Sequence, residues 1–559
     1  MQNKLIEQKL KKTVEQIKKL PAFKFIPKLV KKYPQVGIYA VGGYVRDAIM
    51  DRRAKDVDIV INRINFSDLV DLLLEYGKVI FDLEPKTDLA KLNSKKRQEL
   101  LSKGFGVIKF IPRDKKDSID IALPRVDIHE KSEVLVDGIK RDVLAQANPA
   151  MKIEDDLGRR DFTVNAIALD LRSGEMIDTY EGVGDILNKK LKAIGKPEQR
   201  ILKEDLSRAF RGLRFVVQLG FEIDIETQKA IKKAFQPTAK NTREIYEKED
   251  KTVLEKLISK EKQIRDEFLI ELKYKLPKVL QVFYDKRVGV AKTAVAVEII
   301  TEEFCKSFEI DPLETLKIWE EYGVLKIILP EVLAMRSVVQ PIQYHSEGDV
   351  YQHTFLALKS ALTKEKKVGL NLKLAILLHD IGKVATIKFD LKDSNGINFY
   401  KHDQVGAEMA KKIFARLNFS KQISEPVVWA IKNHMLAINA LKNNLKDSTL
   451  EKYFFDDEIK GDLLLKLIKY DAMASIPASA KESNLESYQY LAGRIKNLAK
   501  LKDKNNKLPL PLINGDDLIA LGLKPNAKFS EILDKIRNAQ LKGEVKTKKE
   551  AIEMVKSLK

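Results

Sequence analysis

The stretch "VGIYAVGGYVRDAIMDRRAKDVDIVIN", residues 36–62, constrains the fold more tightly than any other part of the chain. "VGIYAV" is a short apolar run suited to a strand. A glycine pair comes next, "GYVRDAIM" reads as a helix, and "KDVDIVIN" alternates as a second strand. Alternation places Asp56 and Asp58 on one face and Val57, Ile59 and Ile61 on the other. Two carboxylates so spaced can clamp a hard divalent cation such as Mg2+. Gly42 and Gly43 let backbone amides approach an anion without interference from a Cβ, and the start of the next helix favours negative charge. Arg46 lies on that helix, within reach of phosphate oxygens. The stretch therefore describes a strand–helix–strand unit that holds an anion and a metal together.

Further strands are expected in "GFGVIKFI" and "SIDIAL", between residues 103 and 128. "DFTVNAIALDL" reads as a helix beginning near Asp161, and from about residue 185 onward helical patterns dominate. Residues 84–103 are polar and lysine-rich and read as a mobile insertion. "NNKLPLPLINGDD", residues 505–517, reads as a linker into a small helical unit. The expected class is α+β: a mixed sheet with helices, then a mostly α-helical remainder. The divisions expected are a helical extension at 1–35, a head at 36–172, a helical neck and body at 173–335, a histidine-bearing domain at 336–500 and a terminal helical unit at 505–559.

The chain carries 101 Lys and Arg against 81 Asp and Glu, a formal charge of +20, which points to a polyanionic partner and above all nucleic acid. A single cysteine, Cys305, excludes an internal disulfide and a thiolate zinc knuckle, and suits a reducing cytoplasm. The N-terminal "MQNKLIEQKLKKTVEQIKKL" is an amphipathic, lysine-rich helix without the apolar centre of a signal peptide. No apolar run approaches the length of a membrane span.

Three more motifs give the first one a context. "RRDFTVNA" (159–166), "IDTYEGVGDILNKKLKAIG" (177–195) and "EDLSRAFRGLRFVVQLGFEID" (204–224) come after "GGYVRD" and "DVDI" in that order. Together they resemble class II tRNA nucleotidyltransferases, the CCA-adding enzymes and bacterial poly(A) polymerases with a polymerase-beta-like head. The resemblance is strong from residue 36 to about 235 and weaker beyond. It implies that Asp56 and Asp58 bind catalytic Mg2+. Gly42, Gly43, Arg46 and Arg160 would meet the incoming nucleotide, with Asp161 and Asn165 by its sugar. It implies tRNA, ATP and CTP as partners. Asp120 in "IDIALPR" is a candidate third carboxylate.

If "EDLSRAFRGLRF" is one helix, Leu206, Ala209, Phe210, Leu213 and Val217 form an apolar stripe, and Glu204, Arg208 and Arg211 lie opposite. The plain account of those charges is a set of surface ion pairs, each contributing a few tenths of a kcal/mol. The resemblance assigns Asp205 and Arg208 to the reading of the base, with Arg211 and Arg214 supporting the pocket or the phosphates. Cytosine and adenine both offer an amino donor beside an unprotonated ring nitrogen, which suits a carboxylate next to a guanidinium. Guanine and uracil reverse that order.

Five of the six histidines fall between His345 and His434. His353, the pair His379–Asp380 in "LAILLHDIGK", His402, His434 and Asp471 form a set suited to a divalent transition metal or Mg2+. The order resembles an HD-domain phosphohydrolase, which in this family implies phosphatase or 2′,3′-cyclic phosphodiesterase activity. His345 is not counted among the ligands. The sequence leaves other readings open: a poly(A) polymerase, an enzyme adding only CC or only A, an RNA phosphohydrolase with an inactive head, or a non-catalytic RNA-binding protein.

Overall fold

The computed structural model describes residues 2–52, 57–81, 87–97, 107–113, 118–128, 134–136, 139–141, 144–235, 295–336, 338–390, 396–443, 445–479, 483–525 and 527–558. Asp56 lies outside these residues. Packing divides the chain into two compact units, 1–324 and 325–559. No described helix is long and apolar enough to cross a membrane.

The first unit opens with helix α1 (Gln2–Lys19), which buries Ile6, Leu10, Val14 and Ile17 along one stripe and packs on the helix Gly43–Ile49. Helix α2 (Ile26–Lys32) comes next. Strand β1 (Gly37–Val41), helix α3 (Gly43–Ile49) and strand β2 (Asp58–Asn62) realise the unit expected at the glycine pair. Strands β3 (Gly77–Phe81), β4 (Thr87–Asp88), β5 (Val107–Pro112) and β6 (Ile119–Ala122) extend the sheet. With the strands Ala168–Asp170 and Met176–Ile177, the described residues form one eight-stranded sheet. Its order is 176–177, 168–170, β1, β2, β6, β5, β3, β4. Only the β2–β6 pair of this sheet runs parallel.

Two expectations change here. "DFTVNAIALDL" is not a helix: a 3-10 turn spans Thr163–Asn165, and a strand begins at Ala168 and runs to Asp170. That strand is paired along both edges. Residues 161–169 are all buried, which removes the alternation that marks a strand. The described part of the stretch expected as a mobile insertion, 87–97, is largely exposed but anchored at two points, Leu89 and Arg97. Leu89 is fully buried, and the Arg97 guanidinium donates to the Leu89 carbonyl at 2.9 Å and pairs with Asp71.

Beyond the sheet the described residues of the first unit are mostly helical, apart from short strand pairs such as Lys190–Leu191 with Glu222–Ile223. Helix Ser207–Leu219 packs against helices Val297–Ile310 and Pro312–Glu321. Their shared core is aromatic: Phe210 meets Phe235 and Trp319 at centroid distances of 5.1 and 6.0 Å, and Phe304 meets Trp319 at 5.3 Å. Arg214 joins the same helices from the rim, pairing with Glu303 and lying over the Phe215 ring.

The second unit is built on helix Leu370–Leu378, whose residues Leu372 to Leu378 are all buried. A helix apolar on every side belongs at the centre of a bundle. Helices Val350–Lys364, Lys421–Asn433 and Glu458–Ala474 surround it. Helices Gly515–Ala520, Ala527–Leu541 and Lys548–Ser557 close the chain around their own core of Leu518, Ile536, Ala551 and Val555. Asn514 opens that terminal group with a capping box completed by Asp517.

One close approach in this unit is testable. A Cβ on Gly382 would lie 2.1 Å from the His402 carbonyl oxygen and 2.6 Å from the Gly406 amide nitrogen, both rigid backbone. Gly382→Ala must push helix His402–Arg416 (the carrier of His402) away, an overpacking expected to cost about 1–3 kcal/mol. A lower unfolding midpoint for the second unit in thermal or urea denaturation checks this, and an unchanged midpoint contradicts it.

Candidate active site

At the head, β2 is buried along Ile59, Val60, Ile61 and Asn62 but exposes Asp58 at its first position. Ile59 aligns with Ile121 and Val60 with Ala122, so the parallel register sets Asp58 beside Asp120, which is also exposed. Parallel neighbours in register share a face about 4.8 Å apart. On the far side of β6, Lys109 of β5 aligns with Asp120. Below these groups the same face carries Tyr39, Val41, Val60 and Ala122, covered by Ile153 and Leu157. Two exposed carboxylates at the end of an otherwise buried pair of strands form an oxygen donor set suited to a hard cation.

Gly42 has φ of +69°, in the left-handed region that glycine adopts without cost. A Cβ there would lie 3.0 Å from Arg160 Nη1 and 3.8 Å from Asp58 Oδ2. The glycine loop, the Arg160 guanidinium and the Asp58 carboxylate thus converge. Arg160 makes long contacts to Asp156 Oδ2 at 3.5 Å and to the Asn165 carbonyl at 3.4 Å, and its Nε is buried without a hydrogen bond. Burial lowers its pKa from the usual arginine value, a cost that an anion would offset.

The other expected nucleotide contacts form a chain. Arg46, buried, donates to Asn165 Oδ1 at 2.7 Å and pairs with Asp47. Asn165 Nδ2 lies 3.5 Å from Asp161 Oδ1, and Asp161 Oδ2 accepts from Arg211 at 2.8 Å. Burial would raise the Asp161 pKa, but Arg211 and the Phe162 amide bring it below the ordinary value.

"EDLSRAFRGLRF" is not one helix. Residues Glu198–Glu204 form a π-helical turn, Asp205 is extended, and the α-helix begins at Ser207. Asp205 Oδ1 accepts from the Ser207 amide at 2.9 Å, a side-chain turn that precedes the helix N-cap, Leu206. The Arg208 guanidinium is buried and fixed by Glu204 at 3.0 Å, the Arg200 carbonyl at 3.1 Å and the Arg159 carbonyl at 3.3 Å. Its Nε lies 3.9 Å from Asp205 Oδ2, leaving that carboxylate partly exposed beside it. Arg200, which the sequence motifs did not single out, donates to the carbonyls of Arg159 at 2.6 Å and Arg160 at 2.7 Å. Its place four residues before Glu204 and eight before Arg208 was the available signal. Through these bonds the Asp205–Arg208 pair and the arginine beside Asp58 belong to one network.

The histidine centre in the second unit is assembled from helix ends. His379 and His434 cap the C-termini of Leu370–Leu378 and Lys421–Asn433, His402 begins its helix, and His353 and Asp471 project from helix interiors. Nδ1 of His379, His402 and His434 lies 2.8, 2.9 and 2.6 Å from a carbonyl three residues earlier. A carbonyl only accepts, so each Nδ1 donates and each neutral ring turns an Nε2 lone pair inward. His402 Nε2 and His434 Nε2 face each other at 3.2 Å, a contact that two neutral rings can make only around a shared proton or a metal cation. His379 Nε2 is buried without a hydrogen bond.

Donor atoms of His353, His379 and Asp471 lie within 4.8 Å of one another, as do those of Asp380, His402 and His434. Asp380 reaches both groups, with Oδ2 3.3 Å from His379 Nε2 and Oδ1 3.4 Å from His402 Nε2. Lys383 pairs with the same carboxylate at 2.7 Å and donates to Gln340 at 2.8 Å. Burial opposes a charge on His379, yet Asp380 and Asp471 raise its pKa to about 10, so without a metal its Nε2 holds a proton that a bound divalent cation would displace. Burial and the neighbouring imidazoles push His434 down to about 4. All six residues named from sequence meet here, and the inward lone pairs fit a divalent metal. Sequence reasoning missed Glu347, whose carboxylate lies 2.7 Å from Nδ1 of both His345 and His353.

Residues 38–192 match the poly A polymerase head domain, and residues 350–464 match the HD domain. Families of both kinds depend on metal ions. The chain is 28% identical to the A-adding tRNA nucleotidyltransferase of Deinococcus radiodurans over 402 residues, covering 71% of this chain and 78% of that one. It is 26% identical to the multifunctional CCA protein of Shewanella denitrificans over 444 residues, 78% of this chain and 82% of the other. The crystal structure of the Bacillus stearothermophilus CCA-adding enzyme in complex with CTP shares the fold, with a TM-score of 0.54 at 17% identity over 96% of this chain and 98% of that one.

Proposed function

We propose that this chain, a nucleotidyltransferase head of the poly A polymerase family at 38–192 joined to an HD domain at 350–464, builds or repairs the 3′-terminal CCA of tRNA from CTP and ATP. The observation that carries the proposal is the network that runs from the exposed Asp58, through Arg160 and the Arg159–Arg160 carbonyls, to Arg208 and Asp205. It brings a phosphate-binding end and a base-reading end into one rigid frame.

The triphosphate rests against the Gly42–Gly43 turn with Arg160 supplying the charge its phosphates need. Asp58, with Asp56 and Asp120, would hold Mg2+. When bound, the metal stabilises charge on the attacking and leaving oxygens of an in-line displacement. The RNA 3′-hydroxyl attacks the α-phosphorus, its P–O bond forms as the bond to pyrophosphate breaks, and no covalent enzyme intermediate is needed. Asp205 accepts from the exocyclic amine of cytosine or adenine while Arg208 donates to the ring nitrogen. Uracil and guanine oppose acceptor to acceptor and donor to donor, which costs about 1–3 kcal/mol for each group left unpaired. The remaining positive charge suits tRNA phosphates, and the lysine-rich terminal helices are candidates for that contact. Supplying the four nucleotides singly to a tRNA that lacks its terminal CCA tests the selectivity. C is added to that tRNA and A to one ending in CC; comparable incorporation of U or G on either contradicts the pairing scheme.

The HD centre is proposed to hydrolyse phosphate esters at RNA ends, such as 2′,3′-cyclic phosphates, with a divalent metal held by His353, His379, Asp380, His402, His434 and Asp471. Asp471→Asn, the least buried of these positions, is expected to lower such hydrolysis at least about 10²-fold and to leave nucleotide addition unchanged. Equal loss of both activities contradicts two separate centres.

A further inference from the structure

We propose that Glu347 is the positioning residue of the histidine centre, orienting His353 and strengthening it as a metal ligand; this rests on reading that centre as a metal site. Asp349 caps helix Val350–Lys364 by accepting from the Gln352 amide at 2.8 Å, so Glu347 is not needed as the cap. It turns inward instead, and only 3% of its side chain is exposed. Oε1 accepts from His353 Nδ1 and His345 Nδ1, both at 2.7 Å, and Oε2 accepts from the Ile476 amide at 3.0 Å. The His345 ring stands edge-on to His353 with centroids 5.0 Å apart. His353 is thereby held with Nε2 toward Asp471 Oδ1, 3.1 Å away.

Two features separate this from a generic buried pair. First, the other three imidazoles of the centre give their Nδ1 protons to neutral carbonyls, whereas His353 gives its proton to a carboxylate. A charged acceptor on one ring nitrogen makes the opposite nitrogen a stronger donor to a metal. Second, Glu347 joins the two ends of the domain. The Ser346 amide and hydroxyl donate to the Ile476 carbonyl at 2.7 and 2.8 Å while Glu347 receives the Ile476 amide. Ile476 lies five residues after Asp471, so one side chain registers a ligand from the first helix against a ligand from the last.

The test uses full-length protein carrying Asp58→Ala, which weakens metal binding at the head, stripped of metal with a chelator and titrated with Mn2+ by calorimetry. Glu347→Gln keeps an acceptor for His353 but removes the charge, making His353 resemble the other three; affinity is expected to fall about 3- to 10-fold. Glu347→Ala removes the acceptor, and affinity is expected to fall about 10- to 100-fold. The metal-free melting temperature of the Gln variant is expected to match that of its parent. Binding by Glu347→Gln within twofold of the parent, or weakened binding matched by equal loss of metal-free stability, overturns the inference. If the parent itself binds no Mn2+, the metal reading of the centre has failed rather than the role of Glu347.

Discussion

Asp58→Ala abolishes nucleotide addition, lowering kcat by about 10³-fold or more, while affinity for tRNA stays within about threefold. The size of the effect comes from position. Asp58 is the exposed first residue of β2, set beside Asp120 by the parallel register and close to the Gly42 turn. A group that stabilises charge only as the phosphorus–oxygen bonds change contributes to kcat rather than to ground-state binding. Because Asp58 is exposed, its removal leaves the apolar core of the sheet intact, and thermal unfolding is expected within about a degree or two of wild type. Single-turnover extension of a 3′-truncated tRNA, paired with a filter-binding titration, checks both halves. Substantial remaining addition removes Asp58 from the reaction, and a matching loss of tRNA affinity makes it a binding residue instead.

The second large effect concerns choice of base. Asp205→Asn keeps a side-chain oxygen for the Ser207 amide, so the turn before the helix survives. It removes the charge beside Arg208 and introduces an amide donor where the cytosine or adenine amine should give its proton. The kcat/KM for CTP and ATP is expected to fall about 10²-fold, and the preference over UTP and GTP is expected to shrink by a similar factor. Steady-state kinetics with each of the four nucleotides measures this. A uniform decrease for all four leaves Asp205 a structural turn residue, and an unchanged ratio excludes it from base reading. Arg208 is the less clean probe, because Arg208→Ala also removes its bonds to Glu204 and to the Arg159 and Arg200 carbonyls and so loosens the network itself.

How much was legible in the sequence depends on how local each constraint is. The glycine turn, α3 and β2 are set by neighbouring residues: Gly42 must adopt a positive φ, and a buried strand with one polar end must expose it. The histidine set was legible because five histidines in one window are improbable without a shared role, and "LLHD" comes at the end of a helix too apolar to lie on a surface. The failures share a cause in tertiary context. Residues 161–169 gave no alternation because every one of them is buried, so a 3-10 turn leading into a paired strand resembled a helix. The helix expected through Asp205 breaks there because its backbone is extended and its carboxylate turns back to the Ser207 amide, after a π-turn that no hydrophobic period encodes. Asp120 could be named as a candidate, but only the β2–β6 register shows that it flanks Asp58. Glu347 could not be found at all, since its partner His353 lies six residues on and its other contact, Ile476, lies 129 residues away.

The central claim is that Asp58 and the Asp205–Arg208 pair belong to one nucleotide-adding site that completes tRNA. The most direct measurement is to give purified protein a tRNA ending before its CCA, with CTP and ATP together and Mg2+, and to sequence the 3′ ends. The account predicts growth by C, C and A, stopping there, and no growth without the divalent ion. Ends carrying long A tracts, ends that stop after CC, or ends that do not grow at all would contradict it.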